Sequence, residues 1–157
     1  MLRPGLAIVF CGSAAGRASA RAGAYYAGPG NLFWPTLARA GLTPRLLQPA
    51  EFALLPHYGL GLTDLCKSAS GSDGNLLREA DDPGALRRKI ERYRPLILAF
   101  VGKRAARGVL DRPVSYGPQP ERIGSTRLFV LPSPSGAARR YWDESWWRAL
   151  AAAREEL

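Results

Sequence analysis

The sequence predicts an α/β fold with a central, mostly parallel sheet of about four strands flanked by helices. Three observations predict it. Short continuous apolar runs recur along the chain, "LAIVFC" (6–11), "PLILAFVG" (95–102) and "RLFVLP" (127–132), each bounded by proline or glycine. Runs without polar alternation mark strands covered on both faces. Helical stretches lie between them, and each run empties into a polar turn, "GSAAG", "GKRAARG" or "SPSG". In parallel sheets ligands sit at the carboxyl ends of the strands, so the three turns should meet on one rim.

Taken in order, residues 6–11 form the first strand. The run leads into a glycine turn with no small-residue cleavage site, which argues against a signal peptide. "NLFWPTLARAG" starts a helix with Asn31 as N-cap and stops it at Gly41. A weaker fourth strand is expected near "PRLLQP" (44–49). "SASGSDGN" (68–75) is the most flexible-looking segment. "DDPGALRRKIERYR" (81–94) opens with acids and a proline and closes with bases, as the helix dipole prefers. "RPVSYGPQPERIGS" (112–125) reads as a long turn-rich connection. A final helix over 142–157 places Trp147, Leu150, Ala151 and Arg154 on one face. No internal repeat appears, and residues 1–157 are expected to form a single domain.

Composition narrows the function classes. The net charge is +9, and arginine supplies nearly all of it, since Lys67, Lys89 and Lys103 are the only lysines. Such a charge is the footprint of a phosphate-backbone binder, or of an arginine-rich genome composition; charge alone does not choose. No apolar run approaches the ~18 residues of a membrane span. With Cys11, Cys66 and His57 as the whole complement of those residue types, neither an iron–sulfur cluster nor a structural zinc site is expected. A reducing cytoplasm without a disulfide follows, and so does chemistry without metal or cofactor.

Several standard sites fail on spacing. "GSAAGRAS" has Gly16 four residues after Gly12 and then Arg17, not the spacing and lysine of a phosphate loop. "PSPSG" is not a nucleophile elbow. His57 fits a structural histidine better than a base. What remains is "GAYYAGPGNLFW" (23–34): two tyrosines, a Gly-Pro-Gly hinge, one asparagine and a Phe-Trp pair. Flat rings beside polar turns suit an extruded nucleobase, held between aromatic faces and read along its edge. Phe33 and Trp34 read as core, whereas one of the two tyrosines should face the rim.

The series "FCGSAAG", "YYAGPGNLFW", "GLTDL", "FVGKRA" and "FVLPSPSG", spread from about Leu6 to Arg140, resembles the uracil-DNA glycosylase superfamily. It looks closest to the mismatch-specific uracil/thymine-DNA glycosylases and the hypoxanthine-DNA glycosylases. The resemblance implies a three-layer α/β fold, base flipping and metal-free hydrolysis of the N-glycosidic bond. It implies DNA, single- or double-stranded, as partner and uracil as the leading base, with hypoxanthine or mismatched thymine next; a monomer is the simplest expectation. A non-catalytic lesion-binding member of the fold is the third possibility. Gly12, Ser13, Ala14, Tyr26 and Ser133 are implied to line the base pocket. Lys103, Ser135, Gly136, Ala137, Arg139 and Arg140 are implied to face DNA.

Two departures shape the catalytic assignment. Relatives carry a water-positioning asparagine where this chain has Ala14, and an asparagine or histidine where it has Ser133. The "YYAGPGNLFW" stretch resembles the hypoxanthine-type enzymes, in which its asparagine does the work. Asn31 is therefore the first catalytic candidate, with a plain helix cap as its competing role. Asp64, the only carboxylate inside a matched motif, is the second, with a cap or ion pair as its competing role. The small Ala137 stands where relatives plug the duplex with a bulky residue.

Overall fold

The computed structural model describes residues 2–14, 23–65 and 81–157. Cys66, Gly16, Arg17 and the flexible-looking 68–75 stretch lie outside the described residues. Five strands form one sheet: β1 (Ile8–Gly12), β2 (Leu60–Asp64), β3 (Ile97–Val101), β4 (Gly117–Ile123) and β5 (Thr126–Leu131). Their order is β2-β1-β3-β5-β4. The first four in that order run parallel, and only β4 is antiparallel to its neighbour β5.

All five residues of β1 and of β3 are buried, as their unbroken apolar runs require. Alternate side chains feed two different cores. Ile8, Phe10, Val101, Phe129 and Leu131 pack with helices α1 (Phe33–Arg39) and α4 (Glu144–Glu155). Val9, Cys11, Leu98, Phe100 and Val130 pack with α2 (Pro83–Tyr93) and α3 (Lys103–Leu110). Helices cover both faces, which makes the fold a three-layer α/β sandwich, as expected. Aspartates cap two of the helices. Asp82 caps α2 by accepting from the Ala85 amide at 2.9 Å, and Asp143 caps α4 by accepting from that of Ser145 at 3.0 Å.

Three expectations need correction. Residues 44–49 are not a strand. Gln48 and Glu51 form a reciprocal capping box, and Pro49 opens a 3-10 helix over Pro49–Tyr58. Of that run only Leu47 is buried, while Leu46 stays exposed. The supposed connection 112–125 contains β4, an edge strand in which Pro118 and Pro120 are exposed and the register shifts between Pro118 and Arg122. Prolines are tolerated on an edge strand because the missing N–H faces solvent. The strand nearest the other edge, β2, went unread because Gly59 and Gly61 interrupt its apolar residues. Finally, "GKRAARG" is a helix, not a turn. Gly102, at φ 102°, releases the chain from β3, and Ala105, Ala106 and Val109 then supply the buried stripe of α3.

No helix among the described residues is long and apolar enough to cross a membrane.

Candidate base-binding and catalytic site

Parallel pairing brings the ends of β2, β1, β3 and β5 to one edge of the sheet. Adjacent strands are ~4.8 Å apart, so this rim extends over roughly 14 Å from β2 to β5. Gly12 and Asp64 are register partners at its β1–β2 side. Gly102 meets Ser133 at its β3–β5 side, where a Cβ on Gly102 would lie 3.6 Å from the Ser133 Cβ. His57, which precedes β2, is exposed at the opposite end and takes no part in the rim.

The aromatic loop closes over this rim from above. Its position is set by backbone bonds: Asn31 N donates to Gly28 O (3.1 Å), and Leu32 N donates to Pro134 O (2.9 Å). The Trp34 indole donates to Tyr25 O at 3.0 Å. Arg139 donates to Gly30 O at 2.8 Å. The loop and the turn after β5 are therefore fastened to each other at the same end of the sheet. Arg139, expected to face phosphates, spends at least one donor on this fastening.

Tyr26 occupies the centre. Its backbone is left-handed, with φ 53°, a conformation that costs a non-glycine residue of order 1–3 kcal/mol and persists only where contacts enforce it. Its ring packs on Phe33, 4.1 Å away and 23° from parallel. Phe33 itself is fully buried, which agrees with its reading as core. One face of the half-buried Tyr26 ring is thus committed to Phe33, and a base can stack only on what remains. The Tyr26 hydroxyl reaches the turn after β1. A Cβ on Gly12 would lie 3.1 Å from that hydroxyl and 3.3 Å from Asp64 Oδ1.

Glycine at position 12 is what lets a phenol, a carboxylate and the main chain converge. Gly12→Ala is expected to displace both side-chain tips by a few tenths of an ångström. Activity on a base-containing substrate should fall by about tenfold or more, since sub-ångström misplacement is costly in a reacting geometry. The melting temperature should change little, because both displaced groups are side-chain ends. Wild-type turnover in Gly12→Ala would show that the convergence is irrelevant.

The polar groups around this point are unevenly satisfied. Ser13 is 5% exposed, and its hydroxyl has no hydrogen-bond partner. A buried unsatisfied group costs ~1–3 kcal/mol, which a ligand's polar edge would recover. The N-cap of α1, expected at Asn31, is Leu32, which makes no side-chain cap bond; Asn31 Oδ1, one residue earlier, accepts from Phe33 N at 2.9 Å. That bond uses the oxygen and leaves the Nδ2 hydrogens for other work. Tyr25 is missing from the expected set. Burial first, and the Asp64 charge second, push its phenol above the usual tyrosine range. Asp64 therefore lies within electrostatic reach of Tyr25 and beside the position of the Tyr26 hydroxyl. The doubled tyrosine was the available signal.

Ala14, half-buried, follows Ser13 and offers no polar group. Ser133 Oγ accepts from Ser135 N (3.3 Å), and Ser135 Oγ accepts from Ala137 N (3.2 Å), starting the short 3-10 helix Gly136–Tyr141. Gly136, Ala137, Arg139 and Arg140 are exposed at its tip. Lys103 stands at the first turn of α3 with its ammonium 4.5 Å from the Tyr116 ring centroid. Its neighbour Arg104 turns inward, 3.0 Å from Asp81 Oδ1. Among the described residues no group of three or more His, Cys, Asp or Glu could hold a metal ion.

Comparison with known proteins agrees with this fold. The family model described as the uracil DNA glycosylase superfamily matches residues 1–154. Among solved structures, the solution NMR structure of a candidate uracil DNA glycosylase from Methanosarcina acetivorans is similar, with a TM-score of 0.68 and 27% sequence identity. The match covers 98% of this chain and 94% of that one.

Proposed function

Because the chain belongs to the uracil DNA glycosylase superfamily, whose members act on DNA, we propose that it removes uracil by hydrolysing the N-glycosidic bond. It does so as a monomer, on single- and double-stranded DNA. The observation that carries the proposal is the meeting of the Tyr26 hydroxyl and the Asp64 carboxylate at the Gly12 Cα, next to the unsatisfied Ser13 hydroxyl.

In glycosidic cleavage C1′ becomes positive as the base departs with the bonding pair. Only interactions stronger in that state than with the bound base accelerate the reaction. The Ser13 hydroxyl, the amides of the Gly12–Ser13 turn and Asn31 Nδ2 are donors for the developing negative charge on the base. One such donor is worth about 3–4 kcal/mol in a transition state. Asp64 is an acceptor on the same side of the pocket. It orients the water whose oxygen bonds to C1′, and it is stabilising next to the sugar's positive charge. The water proton ends on the base. Asn31 Oδ1, already holding Phe33 N, has one lone pair left for that water, so the duties of acceptor fall mainly on Asp64.

A small residue at 137 repays little of the few kcal/mol needed to unstack a base. Turnover should therefore be faster on single strands and weak pairs than on stable duplex. The test is incubation with end-labelled oligonucleotides containing uracil, hypoxanthine or thymine opposite guanine, followed by alkali. Strand breaks at uracil, more in single strand than in duplex, are expected. Breaks only at another base would transfer the activity to that base, and binding without breaks would leave a lesion binder.

A further inference from the structure

Past the end of β5, on the side of the rim away from Asp64, lies a second group of rings and cations that the glycosidic chemistry does not use. Tyr116 directly precedes β4, and Gly117 at the head of β4 pairs with Val130 near the carboxyl end of β5. Tyr116 therefore stands at the rim end of the sheet. Trp146 lies beside it, with ring centroids 6.4 Å apart. Trp146 is fixed by close approach to the main chain: a Cβ on Gly117 would come within 2.8 Å of its Cζ3. Tyr141, at the end of the 3-10 helix, is 60% exposed. Burial first, and the Tyr141 charge second, hold the Tyr116 phenol above the usual tyrosine range.

Cations accompany the rings. Lys103 sits 4.5 Å over the Tyr116 ring. Arg107 lies one helical turn later on α3 and is exposed. The Arg140 guanidinium is 5.3 Å from the centroid of Tyr141. Tyr116 is partly buried against one core layer and Trp146 against the other, so the shelf is braced from both sides of the sheet while Tyr141 projects from it. Rings for bases alternating with cations for phosphates are the make-up of a single-strand platform. Continuity with the rim through Lys103 and Arg140 favours the strand that carries the target base.

We propose that Tyr141, with Arg140 beside it and Tyr116, Lys103 and Arg107 at the same end of the sheet, stacks an unpaired nucleobase of the substrate strand outside the catalytic pocket. This rests on the chain acting on DNA but not on the identity of the base removed. Single-stranded DNA is then held at two places, the pocket and the shelf. Duplex cannot use the shelf, because its bases are already stacked.

The test is equilibrium binding of two fluorescent twelve-nucleotide strands that contain no uracil, one of thymidylates and one of base-free abasic spacers. Tyr141→Ala should weaken thymidylate binding by about tenfold, inside the range for loss of one stacking ring. Binding of the abasic strand should stay within about twofold, and Tyr141→Phe should restore thymidylate binding. Equal weakening on both strands would assign Tyr141 to backbone contact, and unchanged thymidylate binding would leave the ring without a base. Either result overturns the proposal. Catalytic assays do not enter this comparison, so failure to excise uracil would sink the functional assignment and leave the shelf standing.

Discussion

Asn31→Ala is expected to lower kcat/KM on a uracil-containing single strand by about 10²–10⁴-fold, the span for loss of a positioned proton-transfer or water-orienting group. A structural cost accompanies it. Asn31 Oδ1 accepts from Phe33 N, and a hydrogen bond of this kind is worth ~1 kcal/mol net. In a chain of this size that is a few degrees of melting temperature, far too little to explain the rate. Two further variants divide the roles. Asn31→Asp keeps an acceptor for Phe33 N but replaces the NH2 donor with negative charge facing the departing base. It should melt like the wild type and still be slow. Asp64→Asn keeps the shape and removes the acceptor charge, so its rate should fall by a similar factor of about 10²–10⁴. If Asn31→Asp retained full turnover, Asn31 would be an acceptor for Phe33 N and nothing more, and the donor for the base would have to be sought at Ser13.

Much of this site was legible before any coordinates, and the reasons differ by residue. β1, β3 and β5 could be read because burial on both faces demands nearly uninterrupted apolar residues. The rim followed from parallel pairing alone. Asn31 could be read as the sole amide in an aromatic stretch, but its reading as the N-cap missed by one residue: Leu32 holds that position, and Asn31 Oδ1 accepts from Phe33 N. The contact of Tyr26 with Phe33 was not legible. It depends on a left-handed backbone at Tyr26, which no propensity assigns to a tyrosine and which tertiary packing imposes. β2 and β4 were missed because glycines and prolines, which usually punctuate, sit on edge strands, where one side of the ladder makes no demand. α3 was missed because its buried face is made of alanines, and alanine carries little hydropathy to mark a stripe. The aromatic shelf was invisible because Tyr116, Tyr141 and Trp146 come from three separate elements.

Trp147→Ala should be the most destabilising single change. The side chain is the largest of the fully buried ones. Its ring stacks near Phe10 at 5.8 Å and 17°, and stands edge-on to Phe33 at 5.8 Å and 79°. Its indole N–H donates to Pro132 O at 3.2 Å. Removing it takes a side chain from between β1, α1 and α4, and unties the turn after β5 from α4. Truncating a buried tryptophan costs about 3–5 kcal/mol. At roughly 2–4 °C per kcal/mol for a chain of this length, the melting temperature should drop by about 6–20 °C. Trp147→Phe separates packing from hydrogen bonding. It keeps a ring against Phe10 but strands the Pro132 carbonyl, a loss of about 1–3 kcal/mol, so thermal denaturation should place it well above Trp147→Ala. Phe33 holds Tyr26 in place, and Trp147 holds Phe33. At a temperature where Trp147→Ala is still folded, it should therefore turn over more slowly than Trp147→Phe. Equal melting temperatures for the two variants would mean that the bond to Pro132, not the packed ring, secures this end of the sheet.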